Sequence, residues 1–138
     1  MILIDSNVVI DILDRDPVWF DWSLGSLERA AAAGPLAINS VVVAEAAPRF
    51  GNLPAFISTM KDLGIDHLPL DAEAAFNAGA AFQRYRKLRP TMATKTILAD
   101  FLIAGHAQAL GATVLTRDPR FYSSYFPDLT LITPETDA

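Results

Sequence analysis

Strands alternating with helices along this chain predict an α/β sandwich around a mainly parallel central sheet. Three observations carry that prediction. The short unbroken apolar run Met1–Ile4 has the make-up of a strand buried on both faces, and Leu36–Ile38 and Thr113–Leu115 read as further short strands. The stretches between them carry apolar residues at helical spacing. Nine prolines and seven glycines punctuate the chain, with no repeat and no low-complexity tract. The 138 residues suit one domain, expected over residues 1–134, with 135–138 as a C-terminal tail.

In chain order, Met1–Ile4 predicts the first strand, ending at Asp5, and a helix follows from about Val8 to Leu13. After Pro17, the spacing of Trp19, Trp22 and Leu27 predicts a longer helix that stops at Gly34-Pro35. Leu36–Ile38 is the second strand, and Ser40 is the expected N-cap of a helix through Ala47. Phe56, Met60 and Leu63 recur at helical spacing before Gly64, and His67–Leu70 reads as a third strand. Asp71 caps a long alanine-rich helix whose last turns carry a basic cluster, a placement the helix dipole favours. A polar linker (Pro90 to Thr96) leads to a helix over Ile97–Leu110, ended by Gly111. Thr113–Leu115 is the fourth strand, Asp118-Pro119 opens a turn, and Leu129–Ile132 is a last strand.

Composition narrows the function classes. Hydrophobic residues at 51% and charged residues at 20% exclude general disorder. With 0 cysteines the chain has no disulfide framework, no zinc–thiolate site and no thiol nucleophile. The N-terminal run lacks a basic lead-in and a cleavage site, and no apolar run has the roughly 18 residues of a membrane helix, so a cytoplasmic globule with no membrane partner is expected. The formal charge of −5 argues against nucleic acid, but seven of the eleven cations (Arg84, Arg86, Lys87, Arg89, Lys95, Arg117, Arg120) lie in the last two-fifths of the chain.

Four acids fall where sites form in parallel sheets, beyond the carboxyl ends of strands. Asp5 ends the first strand, and Asp118 lies three residues past the fourth. Glu45 sits about one and a half turns into the helix after the second strand. Asp100 lies near the start of the helix that feeds the fourth strand, sharing Ile97–Ala107 with only one other polar side chain, His106. Converging carboxylates repel one another and need a cation. An oxygen-only set suits Mg²⁺ or Mn²⁺ rather than zinc, the ions used in two-metal phosphoryl chemistry.

At these positions the chain resembles the PIN-domain nucleases. The matching segments are Ile4-Asp5-Ser6-Asn7-Val8-Val9, Ser40-Val41-Val42-Val43-Ala44-Glu45, Leu98-Ala99-Asp100-Phe101-Leu102-Ile103-Ala104 and Leu115-Thr116-Arg117-Asp118-Pro119-Arg120-Phe121-Tyr122. Each segment alone is a weak signal; all four in order are a strong one. Their order and spacing are similar to the VapC-type toxins of type II toxin–antitoxin modules. The resemblance implies a PIN-like three-layer sandwich and a Mg²⁺- or Mn²⁺-dependent endoribonuclease that cuts structured RNA, leaving a 5′-phosphate and a 3′-hydroxyl. It also implies a homodimer held in check by a cognate antitoxin. Asp5 and Asp100 are then the principal metal ligands, Glu45 and Asp118 complete the acidic ring, and Asn7 and Thr116 orient the carboxylates and water. Before Asp100 the chain departs from many relatives in having alanine where they have proline.

Plainer readings compete. Asp5 and Asp118 can be turn or cap residues, Asp100 a cap (with Thr96 the better one), and Glu45 a partner of Arg49 at i,i+4. Asp11, Asp14, Asp16 and Asp21 read as a solvated face. Trp19 and Trp22 read as a core or dimer stripe, and Arg84–Lys95 serves solubility or RNA phosphates equally well. Two other functions remain: a dehalogenase-like phosphohydrolase with Asp5 as nucleophile, weakened because Asn7 is not an acid, and a non-catalytic module in which the acids hold a structural ion. A dinucleotide-binding domain is excluded, since Asp5-Ser6-Asn7 offers no glycine to a pyrophosphate.

Overall fold

Five strands, β1 (Ile2–Ile4), β2 (Leu36–Asn39), β3 (Ile65–Leu68), β4 (Thr113–Leu115) and β5 (Leu131–Ile132), pair side by side in the order β3-β2-β1-β4-β5, and every pairing is parallel. The computed structural model describes residues 1–88 and 95–136, leaving aside the side chains of residues 88 and 95–97. Arg89 and residues 90–94 of the expected linker therefore lie outside what is described, as do the side chains of Lys95 and of Thr96, the expected cap, and the end of the expected tail; residues 95 and 96, expected in the linker, belong to a helix. β1 and β2 are buried along their whole length, which is why their sequences read as unbroken apolar runs.

The helices are α1 (Ser6–Leu13), α2 (Phe20–Ala33), α3 (Ser40–Ala46), α4 (Leu53–Asp62), α5 (Ala72–Leu88), α6 (Lys95–Leu110) and α7 (Pro119–Tyr125), with a 3₁₀ turn at Ala47–Arg49. From β1 the chain steps outward to β2 and β3, then returns through α5 and α6 to β4 on the other side of β1. Right-handed crossovers in the two directions place the two helix groups on opposite faces, the three-layer arrangement expected. The reversal lies between β1 and β4, so their carboxyl ends frame the crevice where such sheets bind ligands. Asp5 and Thr116 are the first residues past those two ends.

Several local expectations change. The third strand is Ile65–Leu68 rather than His67–Leu70; it is a sheet edge with Asp66 and His67 exposed, so burial imprints little pattern on it. The cap of α3 is Asn39, whose side-chain oxygen accepts from the amides of Val41 and Val42 at 3.0 and 3.3 Å, not Ser40. Asp118-Pro119 opens a full helix, α7, with Pro119 pre-set for its first turn. Asp71 does cap α5, accepting from the Ala74 amide at 2.9 Å. Of the four acids expected on a solvated face, Asp14 and Asp21 are exposed, Asp14 pairing with Arg49 at the surface, and Asp16 accepts from the Val18 and Trp19 amides; Asp11 departs from that reading, being 2% exposed and paired with Arg117.

α5 and α6 pack closely. A Cβ built on Gly105 would lie 2.8 Å from the Ala78 nitrogen and 2.9 Å from its Cα, so the two backbones meet there. Phe101, fully buried on α6, packs edge-on to Phe121 of α7 with ring centroids 4.9 Å apart, and also touches Phe82 and Tyr85 of α5. This aromatic cluster joins the helix that carries Asp100 to the helix that follows Asp118.

Candidate active site

Asp5 is the best-anchored of the acids. It occupies the N-cap position of α1 yet makes no cap bond with its side chain. Its Oδ2 instead accepts from the Thr116 hydroxyl at 2.9 Å and from the Tyr122 hydroxyl at 2.9 Å, with the Asn7 amide farther off at 3.5 Å. Burial pushes the Asp5 pKa upward, and these hydroxyl bonds work against that rise. Tyr122 is fully buried, and burial together with the Asp5 charge drives its own pKa well above the usual phenol value, so it stays a donor.

Thr116 and Asn7 form the bracket around this carboxylate. The Thr116 oxygen, while donating to Asp5, accepts from the Asn7 amide at 3.3 Å and from the main-chain N–H of Asp118 at 3.1 Å. The Asn7 oxygen accepts from the Arg117 N–H at 3.3 Å. One hydrogen-bonded unit thus ties the end of β1 to the loop after β4. Asp118 is exposed, and it also stands at a helix N-cap without a cap bond. Neither Asp5 nor Asp118 therefore serves as the simple cap that its sequence position allows.

Glu45, near the end of α3, faces the same place. Burial, and then the Asp5 charge, raises its pKa, partly offset by the Ser6 hydroxyl. Its Oε1 is buried with no hydrogen-bond partner, and Arg49 turns its guanidinium to Asp14 rather than to this carboxylate. Asp100 gathers the whole set. Its pKa is raised to about 7, first by burial and then by the charges of Asp5, Glu45 and Asp118. A carboxyl lifted by three other carboxylates is one among converging acids.

The six residues singled out in the sequence thus meet at the sheet's switch point, through hydrogen bonds for Asp5, Asn7, Thr116 and Asp118 and through charge for Glu45 and Asp100. Tyr122 is not among those six, nor is Ser6, whose hydroxyl lies 3.4 Å from Asp5 Oδ1. Pro119 is the available signal for Tyr122: a helix starting there turns residue 122 back over its own first turn. His106 is buried and Nδ1 has no partner, with burial lowering its pKa; it belongs to the packing of α6.

A cation fits this donor set. A buried, unpartnered carboxylate oxygen on Glu45 and an Asp100 carboxyl whose pKa is raised to about 7 by burial and then by neighbouring carboxylates both call for a positive charge, and the oxygen-only chemistry is that of Mg²⁺ or Mn²⁺. Among the described residues no three acids stand close enough to hold one ion together, so the carboxylates are convergent rather than closed.

Comparison with known proteins agrees with this geometry. The family model for the PIN domain matches residues 2–127. No curated protein matches the chain. Among solved structures, the chain is similar to VapBC2 of Rickettsia felis bound to a DNA fragment from its promoter, with TM-score 0.70 and 22% identity over 96% of this chain and 98% of the other. It is similar to FitAcB of Neisseria gonorrhoeae, with TM-score 0.62 and 24% identity over 98% and 99% of the two chains. The VapC20 toxin of Mycobacterium tuberculosis, described as cleaving the sarcin–ricin loop, matches with TM-score 0.59 and 13% identity over 90% and 95%. At these identities the likeness is one of fold.

Proposed function

This chain belongs to the PIN-domain family, and from that premise we propose that it is a metal-dependent endoribonuclease acting as the toxin of a toxin–antitoxin pair. The observation that carries the reading is Asp100, whose pKa is raised to about 7 by burial and then by three other carboxylates, at the switch point of a parallel sheet. Asp5, Glu45, Asp100 and Asp118 would hold Mg²⁺ or Mn²⁺. The bound ion would supply the charge that lets a water attack a phosphodiester and would stabilise the leaving oxygen. The chain's own part is positioning. Tyr122 and Thr116 fix one oxygen of Asp5, Thr116 fixes the Asp118 main chain, and Asn7 braces both. With its pKa raised to about 7, the Asp100 carboxyl is partly protonated at neutral pH in the metal-free protein, and it would release that proton to solvent as a cation enters.

The substrate class follows from the family together with the basic end of α5, where Arg84, Arg86 and Lys87 are exposed and available to RNA phosphates. Several structures sharing the fold are toxin–antitoxin complexes, which supports an antitoxin as partner; the homodimer rests on the family resemblance alone. Among the described residues no helix is long and apolar enough to cross a membrane. The phosphohydrolase alternative loses ground on Asn7, whose amide is committed to Thr116 and whose oxygen takes the Arg117 N–H, so no proton donor stands two residues from Asp5.

The test is direct. Purified protein should cut a structured RNA in Mg²⁺ or Mn²⁺, stop in excess chelator, and resume on adding the metal back. Undiminished cleavage in chelator would contradict the proposal.

A pH dependence accompanies it. Asp100 binds its proton up to about pH 7 in the fold, against an ordinary value of 3.8. Between those values the native state holds more protons than the unfolded chain, so this group makes the metal-free fold less stable as pH rises through that window. Mg²⁺ competes with the same proton. The rise in Tm caused by Mg²⁺ should therefore grow from about pH 6 to about pH 8, as read by thermal melts. A Mg²⁺ effect that is flat over that range would show that no such proton is displaced.

A further inference from the structure

Arg117 stands between Thr116 and Asp118, and both of its ends are held. Its main-chain N–H donates to Asn7 Oδ1 at 3.3 Å. Its side chain reaches past the site to Asp11, with Nε donating to Oδ2 at 2.7 Å and Nη2 donating to Oδ1 at 3.1 Å. Asp11 is 2% exposed, and its Oδ2 also accepts from the buried Ser23 hydroxyl of α2 at 2.9 Å. The guanidinium carbon lies 5.5 Å from the Trp19 ring centroid, a cation–π contact.

Asn7 and Asp11 are one helical turn apart, so both grips come from one face of α1, the helix that Asp5 begins. A carboxylate this deeply buried is sustained only by a full set of partners, and the paired guanidinium supplies them in a planar, two-point geometry that lysine does not reproduce. The nitrogens Nε and Nη2 are committed to Asp11, so the side chain is placed to fix the loop rather than to take up a phosphate with that fork.

We propose that Arg117 is a positioning residue: its two-point pair with Asp11 holds the Thr116–Asp118 segment against α1 and thereby sets where Asp118 stands relative to Asp5. This inference rests on the metal-nuclease reading and assigns to that site a half-buried ion pair outside the four carboxylates.

The experiment compares the parent with Arg117→Lys and with the double variant Asp11→Leu/Arg117→Met. Three quantities are read on the full chain: Tm, the Mn²⁺ dissociation constant from electron paramagnetic resonance, and kcat and KM on a structured RNA at saturating Mn²⁺. Arg117→Lys keeps the charge and loses the fork, so Mn²⁺ binding should weaken about 10-fold and kcat should fall, with KM little changed. In the double variant an apolar pair replaces the half-buried ion pair but the buried Ser23 hydroxyl loses its acceptor, so Tm should stay near the parent's while Mn²⁺ binding stays as weak as in the lysine variant. If the double variant does not fold, Arg117→Lys decides alone. Parent-like Mn²⁺ affinity and kcat in a folded variant would overturn the inference, leaving the pair a purely structural one. A raised KM with unchanged Mn²⁺ affinity would overturn it too, in favour of a phosphate contact. A parent that neither binds Mn²⁺ nor cuts RNA would remove the nuclease reading first and this inference with it.

Discussion

Replacing Asp100 by asparagine is expected to abolish RNA cleavage while leaving the metal-free fold as stable as the parent, or more so. The substitution keeps the shape of the side chain and removes one of four converging charges. In the parent that charge is disfavoured by burial and by Asp5, Glu45 and Asp118, which is why the pKa stands at about 7. Near neutral pH the loss therefore relieves repulsion. The response to metal moves the other way. A ligand that binds only the native state adds about 2.7 kcal/mol of stability at 100 times its Kd, and the parent should gain on that scale from Mg²⁺. Asp100→Asn should gain far less. If Asp100 were an ordinary cap, its loss would cost about 0.5 to 2 kcal/mol and leave the metal response intact. Thermal melts with and without Mg²⁺ thus give opposite signs for the two roles. A destabilised variant that still gains as much from Mg²⁺ as the parent would remove Asp100 from the ligand set.

The second large effect concerns the packing that carries Asp100. Gly105→Ala places a methyl 2.8 Å from a backbone nitrogen of α5, where no flexible side chain can yield, so α5 and α6 must separate. Overpacking of this kind costs about 1 to 3 kcal/mol and outweighs the roughly 1 kcal/mol that alanine gains over glycine within a helix. At Gly79, on α5, an added Cβ would meet nothing within 4 Å, so Gly79→Ala should stabilise by about 0.5 to 1 kcal/mol. The same chemical change on two packed helices is expected to lower Tm in one case and raise it in the other. Denaturant melts of the two variants check this, and equal effects would mean that the helices do not meet at Gly105. Because Asp100 lies on the same helix as Gly105, the alanine there should also weaken Mg²⁺ stabilisation, whereas Gly79→Ala should not.

Much of this architecture is legible in the sequence because burial writes it there. β1, β2 and β4 are covered on both faces, and their apolar runs end where Asp5, Asn39 and Thr116 begin. The four acids can be picked out because each is a carboxylate beside an otherwise apolar stretch at the carboxyl edge of the sheet. What stays hidden has a common cause. β3 is an edge strand with exposed polar residues, so its register leaves no periodic trace. Asp11 looks like one more surface acid until Arg117, 106 residues away, is brought to it. Tyr122 looks like a core aromatic until its hydroxyl is seen 2.9 Å from Asp5, 117 residues away. These pairings depend on tertiary contacts that local spacing does not encode. The helix α7 is hidden differently, because Asp-Pro signals a turn and the first turn of a helix equally well.

Everything proposed for the β1–β4 crevice depends on one physical cause: a cation entering there offsets the repulsion that, together with burial, raises the Asp100 pKa. Anomalous diffraction at the manganese edge, from crystals of the parent soaked in Mn²⁺, tests that cause without reference to any substrate. The expected result is anomalous density in the space bounded by Asp5, Glu45, Asp100 and Asp118, absent from crystals of Asp100→Asn treated in the same way. Density elsewhere on the surface, or none at that crevice under Mn²⁺ concentrations that support cleavage, would contradict it.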